Sequence, residues 1–174
     1  MAKNHSTPEV LKLPYFVADA AGKYRTRKAL TEDQILKAAA IILNKTVAPG
    51  WLVDSPGIAN NYLQIKLRNL EYEAFYGVFL NNKNRVIQLE ELSRGTIDSA
   101  TVYPREVVKR ALALNAAAVI FAHNHPSGVT EPSLADKRLT KKLKEALETV
   151  DIRTIDHLII GNGPSFSFAD NKLL

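Results

Sequence analysis

Two histidines and one aspartate stand at a spacing that suits a metal ion. His123 and His125 are separated by one residue and follow a strongly apolar run, and Asp136 comes shortly afterwards. Extended backbone repeats every two residues, so a strand that reaches His125 presents both imidazoles on one face. Two histidine nitrogens and one carboxylate oxygen leave a fourth position for water, as a catalytic zinc site requires.

Asp136 is predicted to lie on the inward face of a helix. Leu139, Leu143 and Leu147 follow it at helical spacing and form an apolar stripe that Asp136 shares. A carboxylate on such a stripe needs a partner, since an unpaired buried charge is costly, and a cation held by the histidines would supply it. Two alternatives stay open. A His-x-His pair alone is weak evidence for metal, and Ser133 with Asp136 also fits a helix-capping box that requires no metal.

Helices and strands alternate along the chain, which predicts an α/β fold with a mixed, layered sheet. The apolar run 116–122 predicts a central strand that is buried on both faces and ends at the histidines. The other predicted elements are a helix after a capping box at Thr31 to Gln34, a helix from Ser55-Pro56, strands at 74–80 and 86–89, a helix from Pro104, a helix from Ser133 to about Val150, and strands at 155–160 and 165–168. The apolar stripes of the first two helices are expected at Ile35, Leu36, Ala39, Ile42 and Leu43, and at Ile58, Tyr62 and Ile65.

The composition excludes several classes of protein. The 174 residues include no cysteine, which excludes disulfides, thiolate metal ligands and a cysteine nucleophile. The longest apolar run, 116–122, is far shorter than the roughly 20 residues of a membrane span. The first residues show no apolar signal segment, so we predict a cytoplasmic protein that does not enter membranes. The formal net charge of +5 permits an acidic partner or nucleic acid without identifying either.

The first 50 residues differ from the remainder. Residues 1–30 hold six Lys or Arg against two acids and show no clear hydrophobic period. We predict a basic, partly ordered arm and one helix over 1–50, and a single folded domain over 51–174. The arm either contacts phosphates or is a solvated tail.

One stretch resembles the signature of the JAMM/MPN metallopeptidases. It consists of His123-x-His125, then seven residues, then Ser133, then two residues and Asp136. The fuller string His-Asn-His-Pro-Ser-Gly is similar to the RadC branch of that family. So are Pro104-Arg105-Glu106-Val107 and the segment Asp156-His157 with Ile159-Ile160-Gly161. The resemblance covers about residues 52–172.

The resemblance implies a three-layer α/β/α domain with a mixed sheet, of the JAMM/MPN, cytidine-deaminase-like architecture. It also implies one Zn²⁺ per chain, bound by the two histidines and Asp136, and hydrolysis of a peptide or isopeptide bond in an unknown protein or peptide. The general base of the family falls best on Glu73, with Glu71 as the alternative, and the oxyanion-binding serine on Ser133. His157 either supports a metal ligand from behind or is a core histidine. RadC-like proteins commonly carry an N-terminal helix–hairpin–helix module, and this sequence shows none, which predicts a short form.

Two other functions stay open. A DNA repair or recombination accessory protein of RadC type would use the basic charge for binding, and its affinity would fall steeply with salt. Two histidines and a carboxylate are also the ligands of non-haem iron oxygenases, although the JAMM spacing and Glu73 argue for zinc. A zinc deaminase needs a Cys-x-x-Cys pair that this sequence lacks. The oligomeric state is not predicted.

Overall fold

The computed structural model describes residues 12–19, 23–46, 49–53, 56–95 and 102–174, and it leaves the side chains of 43–46, 56 and 58 undescribed. The chain divides into two compact units, Met1–Thr46 and Val47–Leu174. Within the described ranges, no helix combines the length and the apolarity needed to cross a bilayer.

The first unit holds a small hairpin and one helix. Strands β1 (Phe16–Ala18) and β2 (Tyr24–Thr26) pair antiparallel. Helix α1 (Glu32–Thr46) begins at the predicted capping box, in which the Thr31 amide donates to Gln34 Oε1 (3.1 Å) and the Gln34 amide to Thr31 Oγ1 (3.4 Å). The sequence did not predict the hairpin, because strands of three residues are too short to show a period.

The apolar stripe expected on α1 is only partly as predicted. Ile35, Leu36 and Ile42 are exposed, whereas Ala38 is the buried residue among the described side chains of this helix. Leu43 is outside the described side chains, as are residues 1–11 of the predicted basic arm.

The second unit contains one sheet and three helices among its described residues. Its elements in chain order are α2 (Pro56–Leu67), β3 (Ala74–Leu80), β4 (Val86–Arg94), α3 (Pro104–Ala113), β5 (Ala118–Asn124), α4 (Leu134–Glu148), β6 (Arg153–Ile160) and β7 (Phe166–Ser167). The five strands form a sheet in the order β4-β3-β5-β6-β7. Strands β5 and β6 are parallel, and the other three pairings are antiparallel, so the sheet is mixed as predicted.

Helices cover both faces of this sheet. On one face, α3 and α4 bury Val107, Ala111, Leu143 and Leu147 in a single core that also includes inward residues of β3 and β5, such as Phe121. On the other face, α2 contacts β5 and β6. The architecture is therefore the expected three-layer α/β/α sandwich, and the central strand β5 is buried along its whole length.

Strand β4, predicted at 86–89, continues to Arg94, and two further sequence predictions need correction in this unit. The predicted α2 stripe is wrong at Ile65, which is exposed, because the helix buries the face that carries Ala59, Leu63 and Leu67. Tyr62 borders that face and is buried, as expected, while Ile58 is outside the described side chains. The central strand is displaced relative to the apolar run 116–122: it begins at Ala118 and continues through Asn124, since backbone pairing with β6 persists to that residue.

Candidate metal centre

The carboxyl end of β5 carries both histidines. His123 lies within the strand, and the His125 amide still donates to the Ile160 carbonyl of β6 (2.8 Å), so the extended conformation continues to His125. Pro126 and Gly128 then turn the chain, and Gly128 has a positive φ of 83°. Both imidazoles therefore leave the same face of the sheet, as their spacing predicts.

The amino end of α4 supplies the carboxylate. Ser133 is the N-cap residue: the Asp136 amide donates to Ser133 Oγ (3.1 Å), and the Ser133 amide donates to Asp136 Oδ2 (2.7 Å). The Ser133 hydroxyl also donates to Asp136 Oδ2 (2.6 Å). The capping box that the sequence suggested is real, and it holds a buried carboxylate against the histidines at the same time.

Three side chains converge on one point. His123 Nε2 lies 3.0 Å from His125 Nε2 and 3.3 Å from Asp136 Oδ1, and His125 Nε2 lies 3.6 Å from Asp136 Oδ2. Ligands placed about 2.0–2.1 Å from a tetrahedral zinc ion would be roughly 3.3 Å from each other. The three side chains form the group of possible metal ligands found among the described residues, and their spacing fits one small cation.

The tautomer of His125 is fixed by a backbone carbonyl. His125 Nδ1 lies 2.6 Å from the Val129 oxygen, which can only accept. Nδ1 therefore carries a hydrogen, and a neutral His125 has its lone pair on Nε2, the nitrogen that faces the cluster.

The tautomer of His123 is fixed by a longer chain of hydrogen bonds. The Thr140 hydroxyl donates to the Asp136 carbonyl (2.6 Å), so it accepts from His157 Nδ1 (2.6 Å). His157 Nε2 then accepts from His123 Nδ1 (2.8 Å). His123 Nε2 is left with its lone pair toward Asp136 and His125. This series of hydrogen bonds therefore runs from Nδ1 of His123, one candidate ligand, to the backbone carbonyl of Asp136, another.

His157 is the middle of that chain and is fully buried among aromatic rings. It stacks on Phe168 (4.9 Å between centroids) and meets the edges of Phe75 (5.2 Å) and Phe121 (6.2 Å). Burial holds the pKa of His157 well below its ordinary value, so the ring is neutral. A neutral ring can donate at one nitrogen and accept at the other, as the chain requires.

The ligand charges are coupled. Burial acts to raise the pKa of Asp136, but the contacts with His123 and His125 and the hydrogen bonds from Ser133 outweigh it and hold the pKa far below its usual range. The hydrogen bond to Asp136 raises the pKa of His125, with smaller contributions from Val129 and from the charge of Glu73. The carboxylate is therefore ionised and ready to bind a cation.

Glu73 lies beside the cluster. It directly precedes β3, whose Phe75 pairs with His123 and stacks on its ring (5.8 Å between centroids). Glu73 is two residues earlier, so its side chain leaves the same face, and continuing the antiparallel register puts it opposite His125. Glu73 is partly buried, whereas Glu71 is exposed in a bend.

Sequence reasoning did not identify Thr140 or the Val129 carbonyl. Thr140 had a usable signal, since it is a polar residue on the buried stripe of α4 and lies one turn after Asp136. The Val129 carbonyl had none, because a backbone acceptor can occur at any residue type.

The turn after β5, at Gly128, lies in close contact with the turn after β6, at Gly161 and Asn162. The Asn162 amide donates to the Gly128 carbonyl (3.0 Å), and a Cβ added to Gly161 would lie 2.3 Å from that same oxygen. A Cβ on Gly128 would lie 2.3 Å from Asn162 Nδ2. Glycine is needed at both positions for this close approach. The contact fixes the turn in which the Val129 carbonyl lies next to His125 Nδ1.

Comparison with known proteins decides the family. The family model described as RadC-like JAB domain matches residues 53–173, which include every residue of the cluster. This chain belongs to the RadC-like JAB domain family. It is 55% identical over 132 residues to a UPF0758 protein of Nitrosococcus oceani, covering 76% of this chain and 59% of the relative. It is 54% identical over 140 residues to a UPF0758 protein of Cellvibrio japonicus, covering 80% of this chain and 62% of the relative.

The RadC-like JAB domain accounts for most of the chain, but the chain spans only about three fifths of the length of these relatives. A third relative, a UPF0758 protein of Marinobacter nauticus, is 50% identical over 149 residues, with 86% of this chain and 66% of the relative covered. The names of these relatives state no activity, so function must be argued from the site.

Proposed function

We propose that this RadC-like domain is a zinc-dependent hydrolase of peptide or isopeptide bonds. The observation that supports it is the convergence of three ligand atoms, with each histidine held in the tautomer that turns Nε2 toward the others. His123, His125 and Asp136 would hold the ion, and water or substrate would take the remaining position.

Zinc in such a site supplies Lewis-acid activation of water and of the substrate carbonyl, which lowers the pKa of bound water toward ~7. Glu73, whose charge raises the pKa of His125, would accept the proton of the attacking water and deliver it to the leaving amine. Transfer of the proton to that nitrogen allows the C–N bond to break and leaves a carboxylate and a free amine.

Ser133 has two roles in this proposal. Its hydroxyl donates to Asp136 Oδ2 in the structure, which orients the carboxylate. To stabilise the negative charge that develops on the substrate oxygen, the same hydroxyl must turn its hydrogen away from Asp136. We therefore expect Ser133→Ala to lower kcat by about 10²–10³-fold if the oxyanion role is correct.

Metal content and hydrolysis test the proposal together. We expect wild-type protein purified without added metal to contain zinc and to cleave either linear reporter peptides or lysine-linked isopeptide reporters. His123→Ala should lose the metal and the activity. Glu73→Gln should keep the metal and lose activity, while the matched variant Glu71→Gln keeps both. Iron in place of zinc, or full activity in folded Glu73→Gln protein, would contradict the proposal.

A second candidate is a nucleic-acid-binding accessory role in repair or recombination. It is favoured by the solvent face of α4, where Lys137, Arg138, Lys141 and Lys142 are all exposed on the helix that also supplies Asp136. Binding through these residues should weaken steeply with salt, and Lys137→Gln with Lys141→Gln should reduce that slope. Lys83→Gln with Arg85→Gln, at the turn between β3 and β4, is the matched control. Binding that does not depend on salt would exclude this candidate.

Action in the cytoplasm on a protein or peptide is part of the main proposal. The absence of cysteine supports it, because such a chain suits a reducing compartment. Fractionation of cells that express the tagged full-length protein tests it.

A further inference from the structure

The residue between the two histidines faces away from the metal centre. Asn124 alternates with His123 and His125 along β5, so its side chain leaves the opposite face of the sheet. It is only 1% exposed. A buried carboxamide needs hydrogen-bond partners, because an unpaired amide is costly to desolvate. Its partners therefore indicate its role.

The side chain of Asn124 bonds the connection between α2 and β3 and the first residue of β3. Asn124 Nδ2 donates to the carbonyl oxygens of Leu70 (3.3 Å) and Tyr72 (2.9 Å). The Ala74 amide donates to Asn124 Oδ1 (2.8 Å). A carboxamide both donates and accepts, as a peptide group does, so this side chain substitutes for a piece of backbone ladder.

The substitution begins where backbone pairing stops. The pairing of β3 with β5 ends at Phe75 and His123. The residue before Phe75, Ala74, is bonded by the side chain of Asn124 instead. On the other side of the segment, the Gly95 amide donates to the Glu73 carbonyl (2.8 Å). The Glu73 carbonyl is thus bonded by Gly95, the residue after β4, on one side, while its two neighbours in sequence, Tyr72 and Ala74, are bonded by Asn124 on the other.

We propose that Asn124 is a positioning residue for Glu73. It bonds the residues immediately before and after Glu73, so it sets how far that carboxylate lies from the two histidines that flank Asn124 itself. The inference rests on the proposed function, in which Glu73 moves the proton. Strand β5 then positions both the candidate metal ligands and the proposed base. His123 and His125 leave one face of the strand, and Asn124, which positions Glu73, leaves the other.

The chemistry of the contact is specific to an amide. Aspartate at this position would still accept from the Ala74 amide, but it would turn a second oxygen toward the carbonyls of Leu70 and Tyr72. Leucine would fill a similar volume and make none of the bonds, so the buried Ala74 amide and the part-buried carbonyls of Leu70 and Tyr72 would lose this partner.

Amide hydrogen exchange of the full chain, measured by NMR with zinc present, tests the inference without a substrate. In wild type, the Ala74 amide should be protected although it stands at the end of a strand. In Asn124→Asp and Asn124→Leu, the amides of residues 71–74 should report the loss, with Ala74 in Asn124→Leu exchanging at least about tenfold faster. Amides in the middle of β3, such as Val78, should keep their protection, and zinc content should be unchanged.

Asn81→Ala is the matched control, since Asn81 Oδ1 accepts from the amides of Lys83 and Arg85 at the opposite end of β3. It should leave Ala74 protected. An unprotected Ala74 amide in wild type overturns the inference even if both variants fail to fold. Unchanged exchange in folded Asn124→Leu also overturns it.

Hydrolysis is measured separately. On a reporter that wild type cleaves, Asn124→Asp should lower kcat with little change in KM, and it should cause no further loss when combined with Glu73→Gln. Failure of the wild type to cleave any reporter counts against the proposed function, whereas the exchange of the Ala74 amide decides the role of Asn124 in either case.

Discussion

Asp156 and His157 are neighbours on β6, and both are buried polar residues, but they face opposite sides of the sheet. His157 faces α4 and links His123 to Thr140 behind the metal centre. Asp156 faces the other side, where its oxygens accept from the Ser167 hydroxyl (2.7 Å) and the Ala169 amide (3.0 Å). One residue supports the ligands, and the other fastens the C-terminal end of the chain to the sheet.

Burial affects the two residues in the same sense. It lowers the pKa of His157 and raises the pKa of Asp156, so both shifts favour the neutral form. The difference between them is therefore in their hydrogen-bond partners and not in their degree of burial. Buried polarity alone does not identify a functional residue, whereas the path of its hydrogen bonds does.

The sharpest test of this difference is His157→Leu. The Nδ1–H of His123 would lose its acceptor and the ring its fixed orientation, so zinc affinity should fall on the order of 10–100-fold. Competition with a chromophoric chelator measures it. Asp156→Asn is the control and should leave the affinity within about twofold. Equal losses in the two variants would remove the distinction between the faces.

The next largest effect is on pH dependence. The pKa of His125 is raised in the metal-free fold, so its proton stabilises that fold at low pH, and this contribution is lost as pH rises through the raised pKa. Zinc must displace the same proton, so its affinity should fall by about tenfold per pH unit below that pKa. Zinc titrations between pH 5 and 8 measure this dependence of affinity on pH. The slope in Asp156→Asn, the control, should equal that in the wild type. A slope of zero in wild type would contradict the coupling of His125 to Asp136.

A smaller effect is expected at the far end of the hydrogen-bond chain. Thr140→Val keeps the shape of the side chain but removes the acceptor for His157 Nδ1, so unfolding free energy should fall by about 1–3 kcal/mol. Zinc affinity should fall less than in His157→Leu. Thr140→Ser retains the hydroxyl and should restore the affinity, as urea unfolding and zinc titration would show. An affinity loss in Thr140→Ser equal to that in Thr140→Val would mean that packing, and not the hydroxyl, matters.

The smallest effect should come from the other face. Ser167→Ala removes one hydrogen bond to Asp156, and we expect about 1 kcal/mol less stability with zinc affinity unchanged. Chemical denaturation and chelator competition test both parts. A clear loss of zinc affinity would show that the two faces of β6 communicate.

Much of the fold could be predicted from the sequence where one signal dominates. Strand β3 was predicted with its observed bounds, because Ala74 to Leu80 is an unbroken apolar run between turns. The start of α4 was predicted from Ser133 and Asp136, since a capping box depends on residues three apart. Helix α2 was misjudged at Ile65, because its sequence shows only a weak apolar pattern and the packing against the sheet decided which side was buried.

The grouping of the candidate metal ligands could be predicted from the sequence, whereas the residues that support them could not. His123, His125 and Asp136 are close in sequence, and the alternation of a strand followed by a helix brings them together. The role of Asn124 was not predictable, because its partners come from the chain near Ala74, 50 residues earlier. Likewise, the direction of the His157 hydrogen bonds depends on Thr140, which only the packing of α4 against β6 brings near.

The bonds of Asn124 have a consequence for the order of folding. The three ligands lie within one strand–turn–helix unit, whose closure costs little chain entropy, whereas the Glu73 segment must return across 50 residues to reach Asn124. We therefore expect the refolding chain to acquire its affinity for metal before the segment that carries Glu73, the proposed base, docks. An early species would bind zinc without being able to hydrolyse anything.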